Sequence, residues 1–182
     1  KNIKFTIPAT DNFLPQFNIQ AIPNKNGLVP MLWDAIVQNK STLTVKLNSF
    51  EGKYGSTYSS SYFIVCGKKK YGESAEFDLT ESGFVKIKTR VVDSRGLYRD
   101  EECYVEVASY SIPTIVCNDI FRCDSDGTPN ENGTDVAIDF TKTYSSIFDL
   151  NMGYAKVKFK KYNQTEYSEL VQLTKSPFIL TH

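Results

Sequence analysis

Residues that could support catalysis are sparse in this chain. The single histidine is His182, at the last position of the sequence, and a Ser-His-Asp or Cys-His arrangement would depend on it. A terminal residue is a poor place to hold a base within hydrogen-bonding distance of a nucleophile. Glycosidase-type carboxylate pairs stay formally open, but the order of the Asp and Glu residues does not point to one. We therefore predict that the chain is not an enzyme and has no catalytic residues.

The four cysteines do not have the spacing of a zinc site. They are Cys66, Cys103, Cys117 and Cys123, and the closest two are six positions apart, whereas zinc ribbons and fingers use close-spaced ligand pairs. Cys66 and Cys103 lie on the apolar phase of predicted strands, which favours free thiols that pack as small hydrophobes. Disulfides between Cys66 and Cys103, or between Cys117 and Cys123, stay open alternatives.

An oxygen-rich loop runs from Asp124 to Asp135 (DSDGTPNENGTD). Calcium favours clustered carboxylate and carbonyl oxygens, and an EF-hand loop needs Gly at its sixth position and Glu at its twelfth. Here the sixth position is Pro129 and the twelfth is Asp135, so the register fails. Asp, Asn, Gly and Pro are also ordinary turn residues. We predict no metal and no cofactor, and calcium in this loop stays an alternative.

The stretch Asp93-Ser94-Arg95-Gly96 has the chemistry of a tight turn. Asp and Ser can bond their own backbone, and Gly allows a positive φ. Alternating apolar and polar residues flank it, so two antiparallel strands should meet here. Arg95 could contact a ligand. The competing interpretation is that it pairs with a carboxylate such as Asp93, or ties the loop to an adjoining strand.

Two further groups of side chains have both a binding and a structural interpretation. Trp33, Tyr54, Tyr58 and Tyr62 could form an aromatic platform for sugars, or fill the core and its rim. The lysines between residues 156 and 161 are interpreted as the solvated face of one strand, where they also discourage pairing between sheet edges. No ligand-binding residue is assigned from either group.

Period-two alternation of apolar and polar residues dominates the chain and predicts an all-β fold of antiparallel strands, each with one face on a core. Only residues from Met31 to Gln38 could form a helical turn or two. The alternating segments are residues 42–48, 62–66, 85–91, 102–107, 135–141 and 155–160. Turn residues separate them at short intervals, which is typical of a β-sandwich or barrel.

Charge and hydropathy exclude several classes of partner. The 182 residues include 21 Lys and Arg and 21 Asp and Glu, so the formal net charge is zero. A neutral chain gives no reason to expect nucleic acid or an anionic membrane as partner. No run approaches the roughly 18 apolar residues of a membrane helix, so we predict no membrane insertion.

Two similar passages predict the domain organisation. In each, a strand ends, a short polar link follows, and a proline (Pro15 or Pro113) opens the next strand, where it costs no ladder hydrogen bond. We predict one β-sandwich domain at residues 9–109 and a second at residues 110–182, which would be truncated. Residues 1–8 would be the end strand of a preceding module or a linker, and the chain a piece of a longer polypeptide.

Four segments resemble, in order, motifs of one group of proteins. Residues 38–45 (QNKSTLTV) are similar to its QGxSxLxV, residues 54–62 (YGSTYSSSY) to its YGSTIxSY, and residues 89–96 (TRVVDSRG) to its TVTDSRG. Residues 110–115 (YSIPTI) with 122–134 (RCDSDGTPNENGT) resemble its YxxPxI…RCxSDGTxNxxGT. The group is the minor structural and tail-tip proteins of siphophages and prophages of Gram-positive hosts. Asn39 stands where the family favours Gly.

The resemblance implies immunoglobulin-like or fibronectin type III-like modules and a role in the virion. The expected function is that of a modular spacer of the phage tail tip or fibre, with host-cell adhesion as a further role. Implied partners are other tail proteins, host cell-wall polysaccharide and further copies of the same chain. The expected location is the virion, assembled in the bacterial cytoplasm. A bacterial cell-surface adhesin module and a carbohydrate-binding accessory domain stay open as alternatives.

Overall fold

The computed structural model describes residues 10–24, 27–28 and 34–181, and these residues form strands and loops without a helix. The chain divides into two compact units, unit 1 (residues 1–110) and unit 2 (residues 111–182). The boundary predicted from the sequence lies between residues 109 and 110. Residues 1–8, Trp33 and His182, for which the sequence also carried predictions, lie outside the described residues.

The described residues of unit 1 form seven strands in two antiparallel sheets. Their bounds are β1 Gln16–Pro23, β2 Thr42–Glu51, β3 Tyr58–Val65, β4 Lys68–Tyr71, β5 Ser74–Asp78, β6 Gly83–Asp93 and β7 Tyr98–Val107. One sheet has the order β1-β2-β5 and the other the order β4-β3-β6-β7. Both sheets contribute to one core, which is consistent with a β-sandwich.

The core of unit 1 follows directly from the alternation in the sequence. In β6, Val85, Ile87 and Val91 are buried, and the lysines between them are half-buried or exposed. Successive side chains of a strand point to opposite faces, so one face of each strand supplies the core. The central cluster consists of Leu43, Val45, Phe63, Val65, Phe77, Leu79, Val85, Ile87 and Val107. Burying each of the large side chains contributes about 1.5–3 kcal/mol.

Unit 2 has five strands and a smaller core. They are β8 Thr114–Cys123, β9 Asp135–Thr143, β10 Ala155–Val157, β11 Val171–Leu173 and β12 Phe178–Leu180. The sheet order is β12-β9-β8, and β10 pairs with β11 alone. Phe140 of β9 packs with Ala155 and Leu173 of the β10-β11 pair. This contact joins the three-stranded and two-stranded sheets of the unit.

Strand β8 is an edge strand with exposed apolar side chains. It pairs with β9 along one side and has no strand partner on the other side among the described residues. Ile115, Val116 and Ile120 are 52%, 56% and 61% exposed. A long edge of this kind is a site where another strand can pair.

The structure confirms the all-β antiparallel prediction and corrects three local ones. Residues 34–38 form a turn and an isolated bridge at Val37, with no helix, and residues 31–33 lie outside the described part. Strand β10 ends at Val157, so the lysines that follow lie in a loop, where the alternation has no ladder partner to sustain it. Cys66 lies in the turn after β3 with a φ of +46°, and β3 buries Phe63 and Val65 instead of the predicted phase of Tyr62 and Ile64.

Candidate functional site

The tip of the β6-β7 hairpin is organised around the buried carboxylate of Asp93. Its Oδ1 accepts hydrogen bonds from the backbone N–H of Arg95 (2.9 Å) and of Leu97 (3.1 Å). Its Oδ2 accepts from the Arg95 side chain, at 2.9 Å from Nε and 2.5 Å from Nη2. Burial alone raises the pKa of the Asp93 carboxyl, but the hydrogen bonds from Arg95, Ser56 and Leu97 together outweigh it and lower that pKa below its ordinary value.

Arg95 also holds the start of unit 1. Its Nη2 donates to the backbone carbonyl of Phe13 at 2.7 Å, 82 residues away in sequence. The predicted pairing of Arg95 with Asp93 is therefore confirmed, whereas the segment that Arg95 ties to the hairpin is the turn before β1 and not an adjoining strand. The guanidinium is satisfied within the chain.

The hairpin tip meets a second sequence motif, the β2-β3 connection. Ser94 N–H donates to the Thr57 carbonyl (2.8 Å), and Thr57 N–H donates to Ser94 Oγ (3.1 Å). Nearby, Tyr54 stacks on Phe13 with the ring centroids 5.3 Å apart. These contacts form the N-terminal clamp, by which we mean Phe13, Tyr54, Thr57 and residues 93–97.

A second set of hydrogen bonds fixes the last residues of unit 1. Gln38 N–H donates to the Ala108 carbonyl at 2.9 Å, and Ala108 N–H donates to Ile36 at 2.8 Å. The Gln38 side chain donates to the Thr80 carbonyl (2.9 Å) and accepts from Tyr110 N–H (3.4 Å). We call this set, Ile36, Gln38, Thr80, Ala108 and Tyr110, the C-terminal clamp.

In the oxygen-rich loop of unit 2, the polar side chains form hydrogen bonds that stabilise turns. Asp126 Oδ1 accepts from Thr128 N–H at 2.8 Å, and Asn130 donates to Asp124 Oδ1 at 2.8 Å. Gly127 has a φ of +90°, as a turn of this kind requires. The described residues hold no group of three or more His, Cys, Asp or Glu side chains arranged to bind a metal ion.

All four cysteines are free thiols. Cys66 and Cys103 pack, partly buried, against the core of unit 1, as small hydrophobes do. Burial raises the pKa of the Cys103 thiol, with a further contribution from Glu101. Cys123 is fully buried, and burial with nearby acidic side chains raises the pKa of its thiol as well. Raised pKa values make these two thiols poor nucleophiles.

The predicted aromatic platform does not form as one surface. Tyr54 belongs to the N-terminal clamp, and Tyr58 donates to or accepts from Ser61 Oγ at 2.9 Å while its ring packs edge-on against Phe50. Tyr62 instead lies on the outer face of the four-stranded sheet, with its ring 5.8 Å from that of Tyr71. Tyr58 and Tyr62 would share a face of a regular strand, but the register shift between Tyr58 and Ser60 reverses the phase of β3 and separates them.

Sequence reasoning missed the aromatic and charged outer face of the four-stranded sheet. Strand register places Tyr71, Tyr62, Arg90 and Asp100 side by side in one row. Arg90 lies with its guanidinium carbon 3.9 Å from the Tyr98 ring centroid. The sequence does show charged and aromatic residues at the exposed positions of β6 and β7. Only the pairing register of the strands, however, shows which of these residues lie side by side.

The charges of this outer face are largely paired with one another. Arg90 donates from Nε and Nη2 to the two carboxylate oxygens of Asp100, both at 2.6 Å, which lowers the pKa of Asp100. Lys86 pairs with Glu102 at 2.8 Å. The depression above the row measures about 260 Å³, below the range of most ligand sites. The face therefore has little unsatisfied charge to offer a small ligand.

No protein-family model matches the chain, and no curated protein matches it either. Within the described residues there is no helix with the length and apolar character that crossing a membrane requires.

Proposed function

We propose that the chain is a structural part of a phage virion, in or near the tail tip or fibre, and that its β modules act as a spacer. The proposal includes the absence of catalysis. Its partners would be other tail proteins. The phage assignment is supported by the four ordered motifs in the sequence, and the spacer role is supported by how unit 1 holds the chain.

The observation that carries the spacer role is the position of the two clamps. Gln16 pairs with Glu51 at the end of the sheet where Asp93 and Tyr58 also lie, and Val107 pairs with Gly83 at the opposite end. Strand β1 thus begins, and strand β7 ends, at opposite ends of unit 1. The 11 residues of β6 correspond to about 35 Å between these ends.

Both clamps fix the direction of the chain by hydrogen bonds that a flexible linker would lack. At one end, Arg95 binds the Phe13 carbonyl. At the other, Gln38 binds Tyr110 N–H and pairs its backbone with Ala108. A module whose two ends are fixed in this way keeps them at a constant separation and does not act as a flexible joint.

The resemblance gains support from where its motifs lie. Gln38, Tyr54, Thr57 and residues 93–96 of these motifs take part in the two clamps, which supports a structural role for the motifs. Asn39, which stands where the family favours Gly, has a φ of +58°. Gly and Asn are the residues that adopt this conformation most readily.

The strand order supports an immunoglobulin-like or fibronectin type III-like assignment. In chain order, the first, second and fifth strands form one sheet, and the third, fourth, sixth and seventh form the other. The constant-type immunoglobulin sandwich likewise places the first, second and fifth strands opposite the third, sixth and seventh, but its fourth strand lies in the first sheet, whereas β4 here pairs with β3.

The location is tested by labelling purified particles. Phage particles from a strain that encodes the chain would be probed with an antibody raised against the chain and viewed by electron microscopy. We expect label at the tail tip or fibre. The matched control is the wall fraction of uninduced cells of the same strain. Label on that wall and none on particles would contradict the virion proposal and favour a bacterial surface adhesin.

A further inference from the structure

Unit 2 contains a cleft of about 780 Å³, within the range of sites that hold small molecules and short oligomers. Arg122 near the end of β8 and Asp135 at the start of β9 form one side. Residues 159–162, which follow β10, form another, and Leu180 at the end of β12 completes the wall. These segments are far apart in sequence and meet only in the folded unit.

The cleft carries net positive charge. Arg122, Lys160 and Lys161 line it together with one carboxylate, that of Asp135, so its formal charge is +2. Within the described part of the chain, none of the three cations forms a salt bridge. Lys160 Nζ lies 5.3 Å from the ring centroid of Tyr167, a contact that leaves its hydrogen-bond donors free for an anion.

Two arginines of unit 1 differ from these three cations, because they are already paired with carboxylates. Arg90 and Arg95 are each bound to a carboxylate, Asp100 and Asp93. Those pairs would have to break before either arginine could bind a ligand. The cations of the cleft have no salt bridge that must break first, and the Asp135 carboxylate offsets only part of their attraction for an anion.

The remaining lining suits a sugar. Phe159 is 39% exposed and Tyr162 is fully exposed, which provides aromatic rings against which the apolar side of a sugar ring can pack. Asn132, Thr134 and Thr181 also line the cleft and supply amide and hydroxyl groups that can exchange hydrogen bonds with sugar hydroxyls.

Charge and shape favour an anionic sugar over other anions. A nucleic-acid partner requires several more phosphate contacts than three cations provide, and the whole chain has zero formal net charge. A folded protein partner favours a flatter surface with a larger contact area. A concave, aromatic and cationic site fits a short chain of sugars or polyols that bears carboxylate or phosphate groups.

We propose that this cleft binds a short acidic chain of sugars or polyols. Arg122, Lys160 and Lys161 pair with its carboxylate or phosphate groups, and Tyr162 packs against a sugar ring. The proposal concerns unit 2 alone and goes beyond the spacer role, because it assigns a ligand class to a defined site.

Binding to the full chain would be measured by titration calorimetry with four probes. They are a trimer of galacturonic acid, a short glycerol-phosphate polymer, a neutral glucose trimer and a thymine-only DNA oligonucleotide. We expect binding of the first, the second or both, which separates carboxylate from phosphate as the anion, and a weaker affinity at higher salt. The double variant Arg122→Gln/Lys161→Gln should weaken binding about tenfold.

Lys158→Gln is the matched control, because Lys158 belongs to the same segment but does not line the cleft, and it should leave affinity unchanged. If the double variant fails to fold, NMR shift mapping on the unaltered chain decides whether the acidic sugars perturb residues 159–162. The proposal is overturned if neither acidic probe binds, if DNA binds more tightly than both, or if the perturbed residues lie elsewhere.

Discussion

Ser94 and Thr57 exchange two hydrogen bonds across 37 residues of sequence, Ser94 N–H to the Thr57 carbonyl and Thr57 N–H to Ser94 Oγ. The pair joins the β6-β7 hairpin to the β2-β3 connection. Asp93 and Arg95, on either side of Ser94, then bind each other and the Phe13 carbonyl. Thr57, Asp93, Ser94 and Arg95, which all belong to the sequence motifs, therefore act together in stabilising the fold.

Replacing Asp93 should destabilise unit 1 strongly. Asp93→Asn removes a fully buried charge that binds Arg95, and breaking such a pair leaves the arginine without its counter-ion. We expect a loss of about 2 kcal/mol in the free energy of unfolding, measured by urea denaturation. Asp100→Asn, which breaks the exposed pair with Arg90, is the control and should cost less than about 1 kcal/mol. Equal losses would contradict the clamp interpretation.

The Asp93 contribution should disappear in acid. Its folded-state pKa lies below the ordinary value of 3.8, so the stabilisation is fully present above the unfolded-state pKa and is lost as the pH falls through the folded-state pKa. The difference in stability between the unaltered chain and Asp93→Asn should be constant at neutral pH and shrink between about pH 5 and pH 2. Denaturation curves at a series of pH values measure it. A difference that persists at the lowest pH would rule out the charge as its source.

The fold should require glycine at position 96 only because the backbone there is left-handed, and not because a side chain would lack space. Its φ is +82°, and a Cβ added there would meet no atom within 4 Å. Gly96→Ala should therefore cost about 1–2 kcal/mol through left-handed backbone strain. Gly27 also has open space around it but lacks that φ, so Gly27→Ala should change stability by less than about 0.5 kcal/mol. If thermal unfolding shows the same change for both variants, the tight-turn explanation fails.

A substitution in the core should stabilise unit 1. Thr89 is 2% exposed, and its Oγ1 is buried without a hydrogen-bond partner in the part of the chain that the structure describes. Thr89→Val keeps the shape and removes the unsatisfied hydroxyl, so we expect a gain of about 1 kcal/mol in the free energy of unfolding. Ser61→Ala is a control with the opposite expectation. The buried Ser61 Oγ donates to the Gly72 carbonyl at 2.7 Å, so this variant should lose about 1 kcal/mol in the free energy of unfolding. A loss for both variants would show that the Thr89 hydroxyl has a partner.

Local patterns in the sequence predicted the strands that have a clear alternation and the turn at Asp93–Gly96. The lysines after Val157 were predicted wrongly, since alternation alone does not show whether a neighbouring strand continues the ladder. Strand β8 lacked a clean alternation, and a register shift lies between Cys117 and Asp119. An extra residue in a strand reverses the phase of the pattern.

What the sequence determined by itself was the all-β antiparallel class and the hairpin tip, because each depends on residues within a few positions of one another, whereas the role of Arg95 was left open between a ligand and a carboxylate such as Asp93. Tertiary structure alone decided that Thr57 meets Ser94, that Tyr58 and Tyr62 lie on opposite faces, and that Arg122 shares a cleft with Lys160 and Lys161. These relationships depend on strand register and on loops that converge from distant parts of the chain. Pairing of distant strands is set by burial of a shared core, which no short segment of sequence specifies.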